Sequence, residues 1–265
     1  MRQYTVLFIA ISLIFSSCEE VIDLKLDTTQ PRLVIQGNIY DQPGPYFITL
    51  SQTIDFDDIS NYPPVSNAFI VISDNHGSVD TLTEKSPGTY VTSTLKGTPG
   101  YEYSLKVVTE NGMYEAFSIM PNAVNIDSIY TEENRFGGEL QTAIKFKDPA
   151  NIKNYYHVKQ VTNNKAKSGF YTVSDELFDG LDINFSIATR GDGPGTSQDE
   201  DELLPGDSIT VWLECVDEGV YDYFRTAGGD MSQSASPTNP LSNISNGAFG
   251  YFNACAVRSE SMVVK

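Results

Sequence analysis

Turn markers recur along this chain at intervals too short to leave room for helices. Pro43-Gly44-Pro45, Asp74-Asn75-His76-Gly77, Pro87-Gly88, Pro99-Gly100 and Asn111-Gly112 punctuate residues 32–121. Pro-Gly pairs a fixed φ with a permissive one, and Asn-x-Gly or Asn-Gly closes a tight hairpin. Between the markers run short segments rich in Val, Ile, Thr, Tyr and Phe. They predict strands over Arg32–Ile39, Tyr46–Thr53, Ala68–Ser73, Ser78–Thr83, Thr89–Ser93, Tyr101–Thr109 and Met113–Ile119. About seven short strands at this spacing describe a β-sandwich.

Pro121-Asn122 marks a boundary, and the second half is also mainly β. Strands are expected at Asn125–Glu132, Leu140–Lys147, Tyr155–Val161, Asp182–Ile187, Ser208–Val216, Phe249–Val257 and Ser261–Val264. One helix is expected near 217–228, because Val220, Tyr223, Phe224 and Ala227 fall at i, i+3, i+4 and i+7. Asp217 and Glu218 suit its start, and Gly228-Gly229 its end. The fold class is therefore mainly β, with a sandwich over 32–121 and a β-rich domain with one helix over 122–265.

The first residues carry a different signal. Arg2 precedes the apolar run Val6–Phe15, and Ser16-Ser17 lead into Cys18. This is the layout of a secretory signal peptide, too short to span a membrane. Its small-small-Cys ending is similar to the lipobox of bacterial lipoproteins. Residues 1–17 are then a removable signal, Cys18 carries acyl chains that hold the protein to a membrane, and residues 18–31 form a tether. Glu19-Glu20 resemble the signal that sends such lipoproteins to the outer face of the outer membrane in Bacteroidota. The formal charge of −18 becomes −19 once Arg2 is removed, which argues against nucleic acid as a partner.

Of the three cysteines, Cys215 and Cys255 remain after Cys18 is assigned. An oxidising compartment permits a disulfide between them. Cys215 shares one strand face with Ile209, Val211 and Leu213 and points into a core. A bridge and two buried thiols are both compatible with that placement.

Nothing in the sequence assembles a catalytic centre. His76 falls in turn composition and His157 on a strand face, in different halves and without ligand-spaced partners, so both are expected to be structural. No Gly-x-Ser-x-Gly elbow is present. The acidic segments Asp55–Asp58 and Asp192–Glu202 lack the spacing of an EF-hand and read as solvated loops. No metal or other cofactor is expected. Four Asp-Ser/Thr-x tripeptides, with acceptors Thr28, Thr81, Ser128 and Ser208, resemble the O-glycosylation acceptors of Bacteroidota. The aromatic set Tyr221, Tyr223, Phe224, Phe249, Tyr251 and Phe252 is a candidate sugar-stacking or partner-docking surface, some of it core because alternate residues of a strand face inward.

Taken in order, several stretches resemble a known group. These are Pro64-Val65 to Ala68, Pro87-Gly88-Thr89-Tyr90, Pro99-Gly100-Tyr101-Glu102-Tyr103, Gly112 to Ala116, Leu204 to Val211 and Asn239 to Phe252. The first half is similar to carboxypeptidase-regulatory-like or immunoglobulin-like sandwich domains. With the lipobox in front, the whole chain resembles a family of Bacteroidota outer-membrane lipoproteins known only as a domain of unknown function. The resemblance implies a TonB-dependent outer-membrane receptor as partner and a binding rather than catalytic role in nutrient uptake. The contrasting classes are a surface-displayed hydrolase acting on glycans and an adhesion or envelope-structural lipoprotein.

Overall fold

The computed structural model describes residues 30–54, 61–134, 139–167, 169, 171–187, 203–228 and 239–265. Its strands, in chain order, are β1 (Leu33–Tyr40), β2 (Phe47–Gln52), β3 (Phe69–Asp74), β4 (Val79–Thr81), β5 (Thr83–Ser86), β6 (Thr89–Val91), β7 (Glu102–Thr109) and β8 (Gly112–Ile119). They continue with β9 (Ile126–Glu133), β10 (Leu140–Lys147), β11 (Tyr155–Thr162), β12 (Lys165–Ala166), β13 (Tyr171–Ser174), β14 (Asp182–Ile187), β15 (Ser208–Val216) and β16 (Phe249–Val263). Helix α1 (Glu218–Ala227) lies between β15 and β16. The mainly β class, with sandwich sheets and a helix at the expected place, is what the sequence pattern called for.

A nine-stranded sheet runs in the order β12-β11-β15-β16-β1-β2-β6-β5, with β13 also paired to β11. Two smaller sheets complete the architecture, β4-β3-β7-β8 and β14-β10-β9. Alternation along β1, β2, β3 and β7 puts Ile35, Ile39, Ile48, Leu50, Ile70, Ile72, Leu105 and Val107 into one core. Alternation along β10, β11 and β15 puts Ile144, Phe146, Tyr156, Val158, Ile209, Val211 and Leu213 into a second.

Strand β16 belongs to both. It pairs in parallel with β1, from Val34 opposite Phe249 to Tyr40 opposite Cys255. Along its other edge it pairs antiparallel with β15, from Ser208 opposite Val263 to Cys215 opposite Ala256. Phe252, Ala254 and Ala256 fill the first core, while Met262, on the same face, packs against the second. The first core thus takes Ile244, Ala248, Phe252, Ala254 and Ala256 from beyond residue 121, and residues 31–265 form one unit.

Two sequence expectations need correction. Phe249–Val257 and Ser261–Val264 are one continuous strand. Arg258, Ser259 and Glu260 interrupt the apolar pattern, yet their backbones pair with Leu213, Trp212 and Val211, so the ladder does not break. The short β5, β12 and β13 were not foreseen, because their four exposed, two exposed and four half-buried residues carry no alternation.

The cysteine question is also settled: Cys215 and Cys255 are both buried free thiols, not a disulfide. Cys215 stands opposite Ala256, so Cys255 is one residue out of register and points to the other face of the sheet. Cys215 lies in the second core, and Cys255 lies beneath the helix. Burial pushes the Cys215 thiol up to about 12 and raises Cys255 well above its ordinary value.

The start of β16 depends on one glycine. Gly250 has φ of +96°, and a Cβ there would lie 1.9 Å from the Ile35 carbonyl oxygen on β1. Substituting Gly250→Ala is expected to destabilise the protein by roughly 3 kcal/mol, combining left-handed backbone strain with an overpacked strand contact. Urea denaturation of wild type and variant measures it, and an unchanged midpoint contradicts the close approach.

Candidate functional site

The nine-stranded sheet has a second face, opposite the two cores, and helix α1 packs on part of it. Asp217 is the helix N-cap: its Oδ1 accepts from the Val220 backbone N–H at 2.9 Å. Its Oδ2 accepts from Ser118 Oγ at 2.5 Å and from the Ile119 backbone N–H at 3.0 Å, which ties the helix to β8. Ser118 Oγ in turn accepts from the Ala254 backbone N–H of β16 at 2.9 Å. At the other side of the helix start, Tyr155 Oη donates to Glu218 Oε1 at 2.8 Å. Val220 and Phe224 are buried against Val216 and Cys255.

Beside the helix the same face carries a polar group among aromatic rings. Strand alternation places His157 and Lys159 on β11 next to Trp212 and Glu214 on β15, with His157 opposite Glu214 and Lys159 opposite Trp212. Tyr40 comes from β1 and Tyr251 from β16. These residues, with Phe224, Tyr171, Gln160, Lys167 and a few small neighbours, line a cavity of about 440 Å³. Its size is that of a small-molecule site, and its character is apolar walls with a few polar groups.

Glu214 is 2% exposed and carries two partners. His157 Nδ1 lies 2.9 Å from Oε2, and Lys159 Nζ donates to Oε1 at 2.6 Å. Burial opposes the Glu214 charge, but the His157 hydrogen bond and the Lys159 ammonium outweigh it, and the carboxyl is held below its usual range. Burial also opposes the Lys159 charge, but the attraction of Glu214 prevails and its pKa is raised. For His157 burial wins over Glu214, and its pKa is lowered. The His157 ring stacks on Phe224 at 3.9 Å between centroids with the planes 10° apart. Phe224 meets Tyr251 at 4.8 Å, so the aromatic wall is continuous.

Both oxygens of Glu214 are engaged, one by His157 and one by Lys159. Sequence reasoning placed His157 on a strand face but did not find its partners. The signal was there: Glu214 interrupts Leu213 and Cys215 on the face opposite the core, and His157 and Lys159 sit at period two on a neighbouring strand.

The other foreseen positions are scattered. Cys18, Thr28 and the acidic segments 55–58 and 192–202 lie outside the described residues. Thr81, Ser128 and Ser208 are exposed strand residues on β4, β9 and β15. His76 stacks on Tyr101 in its hairpin, 3.7 Å between centroids. Of the six aromatics, Phe252 is in the first core, Phe224 and Tyr251 line the cavity, Tyr221 and Tyr223 are half-buried residues of α1, and Phe249 has the Arg32 guanidinium over its ring.

Asp148, Asp175 and Asp179 bring carboxylate oxygens within 4.8 Å of one another and could together offer hard ligands to a cation. Those oxygens already hold the surrounding loops. Asp148 accepts from Tyr156 Oη and from the Gly180 backbone N–H, Asp175 from Asn154, and Asp179 from Asn151.

The depressed His157 gives a pH signature. Below the unfolded value of 6.5 the unfolded chain takes up a proton that the folded protein refuses. Stability is therefore complete above that pH and falls as the pH drops toward the folded value, by about 1.4 kcal/mol per unit. The melting temperature of wild type is expected to decline between pH 6.5 and 5, and His157→Gln to flatten that decline. An equal slope in both proteins contradicts the assignment.

No curated protein sequence matches the chain. Among solved structures it is similar to the adhesin InvE of Yersinia pseudotuberculosis, with 16% identity and a TM-score of 0.23, over 69% of this chain and 55% of that one. It is also similar to a segment of two fibronectin type-III domains from chicken tenascin, with 13% identity, a TM-score of 0.21, and coverage of 71% and 92%. A third is the FN1–FN3 segment of chicken CNTN1, with 9% identity, a TM-score of 0.24, and coverage of 89% and 65%. The chain thus spans little more than half the length of the adhesin chain. Over residues 19–261 the sequence matches the family described as a domain of unknown function (DUF4249), and the chain belongs to that family.

Proposed function

We propose that this protein is a lipid-anchored binding protein of the outer membrane, facing the cell exterior, that captures a small ligand in the cavity beside α1 and serves a TonB-dependent receptor. The observation that carries the binding role is the cavity itself: aromatic rings from β1, β13, β15, β16 and α1 around a buried Glu214 already neutralised by Lys159. A site of this kind has walls for an apolar body and a fixed charge for orientation, but no group poised to attack a bond. The acyl anchor on Cys18 would keep the protein in the membrane of its receptor, which raises their effective concentration without strong contacts.

Anchoring and partnership are separable. Replacing Cys18→Ala is expected to move the protein from the membrane fraction to the soluble fraction, and retention in the membrane would overturn lipidation as the tether. Purification of the wild-type protein from native outer membranes in mild detergent is expected to recover a TonB-dependent receptor at one-to-one stoichiometry. Recovery of this chain alone would count against the receptor partnership and favour an adhesive or structural role.

A further inference from the structure

The chemistry of the cavity narrows what it takes. Five aromatic residues, Trp212, Tyr40, Tyr171, Tyr251 and Phe224, are among those that line it. Glu214 is the one acid among the described lining residues, Lys159 and Lys167 both line the same space, and burial holds the His157 pKa low.

The orientation of the charges adds a second constraint. Glu214 is nearly inaccessible and both its oxygens are occupied, so it offers nothing to a cationic ligand. Lys159 is different. Its side chain is 37% exposed, and an ammonium has three N–H donors, of which one is given to Glu214. The carboxylate holds the lysine in place and keeps it charged, while its remaining donors are available to a ligand oxygen. A fixed ammonium beside aromatic faces matches a molecule with an anionic oxygen on a flat ring system.

We propose, on the reading that this cavity is the capture site, that its ligand is a small planar aromatic anion, the ring stacked on the aromatic wall and the anionic oxygen on Lys159. The binding is non-covalent and needs no metal.

Trp212 is the sole tryptophan of the chain and lines this cavity, so its fluorescence responds to a ligand bound there. The full mature protein is titrated with three compounds: 2-naphthoate, the uncharged isostere 2-naphthamide, and the non-planar anion cyclohexanecarboxylate, with calorimetry in parallel. The expected result is saturable quenching and heat with 2-naphthoate, at least about tenfold weaker binding of the other two, and a similar loss for 2-naphthoate in Lys159→Met with recovery in Lys159→Arg. Near-UV circular dichroism verifies that the variants are folded. If Lys159→Met fails to fold, Lys159→Gln, which keeps a donor without the charge, takes its place, and a loss of at least about threefold is expected.

Equal binding of naphthoate and naphthamide, or undiminished binding in a folded variant, overturns the anionic class and leaves the capture reading standing. Binding of none of the three compounds overturns the class and counts against the cavity as a capture site.

Discussion

The structure depends on the double pairing of β16. A single strand of 15 residues is hydrogen-bonded to β1 on one edge and β15 on the other, and its parallel register with β1 joins the last strand to the first. An edge strand left by β1 would expose a row of unpaired backbone groups, and β16 removes that edge. Because the strand is long and its face is constant, Phe252, Ala254 and Ala256 complete one core while Met262 contributes to the other. Arg258 and Asp41 fasten the centre: Nη1 meets Oδ2 at 2.7 Å, and the Val257 backbone N–H donates to the same carboxylate at 2.9 Å.

The same pairing builds the site on the opposite face. A strand shows alternate residues to alternate sides, so fixing Phe252 and Ala254 inward obliges Tyr251 and Cys255 outward, beside Tyr40 of β1. Strand β15 adds Trp212 and Glu214, and β11 adds His157 and Lys159. Helix α1 then covers part of this face through Val220 and Phe224, held by the cap at Asp217. Burying Glu214 is costly in desolvation, and the half-exposed Lys159 offsets that cost, so removing the lysine alone would strand the carboxylate.

Most of the architecture was legible in the sequence because it is written in turn chemistry and alternation. Asp74 to Gly77 and Asn111-Gly112 form the expected hairpins, β10, β14 and β15 have the expected limits, and α1 starts from the expected Asp217. The parallel pairing of β1 with β16 was not legible, since nothing local to Leu33–Tyr40 or Phe249–Val263 names a partner more than two hundred residues away. The separation of Cys215 from Cys255 followed from register, which a sequence does not carry. The cavity was missed for the same reason: His157 and Glu214 are 57 residues apart, and only the pairing of β11 with β15 brings them together.

If β16 unites the two sandwiches, they cannot unfold independently. Equilibrium urea unfolding followed at once by the fluorescence of Trp212, which reports on the second sandwich and the site, and by far-UV circular dichroism, which reports on all strands, tests this directly. One coincident cooperative transition by both measures is the result predicted. Two separated transitions, with Trp212 following only one of them, would show that each sandwich stands without the shared strand and would contradict the account.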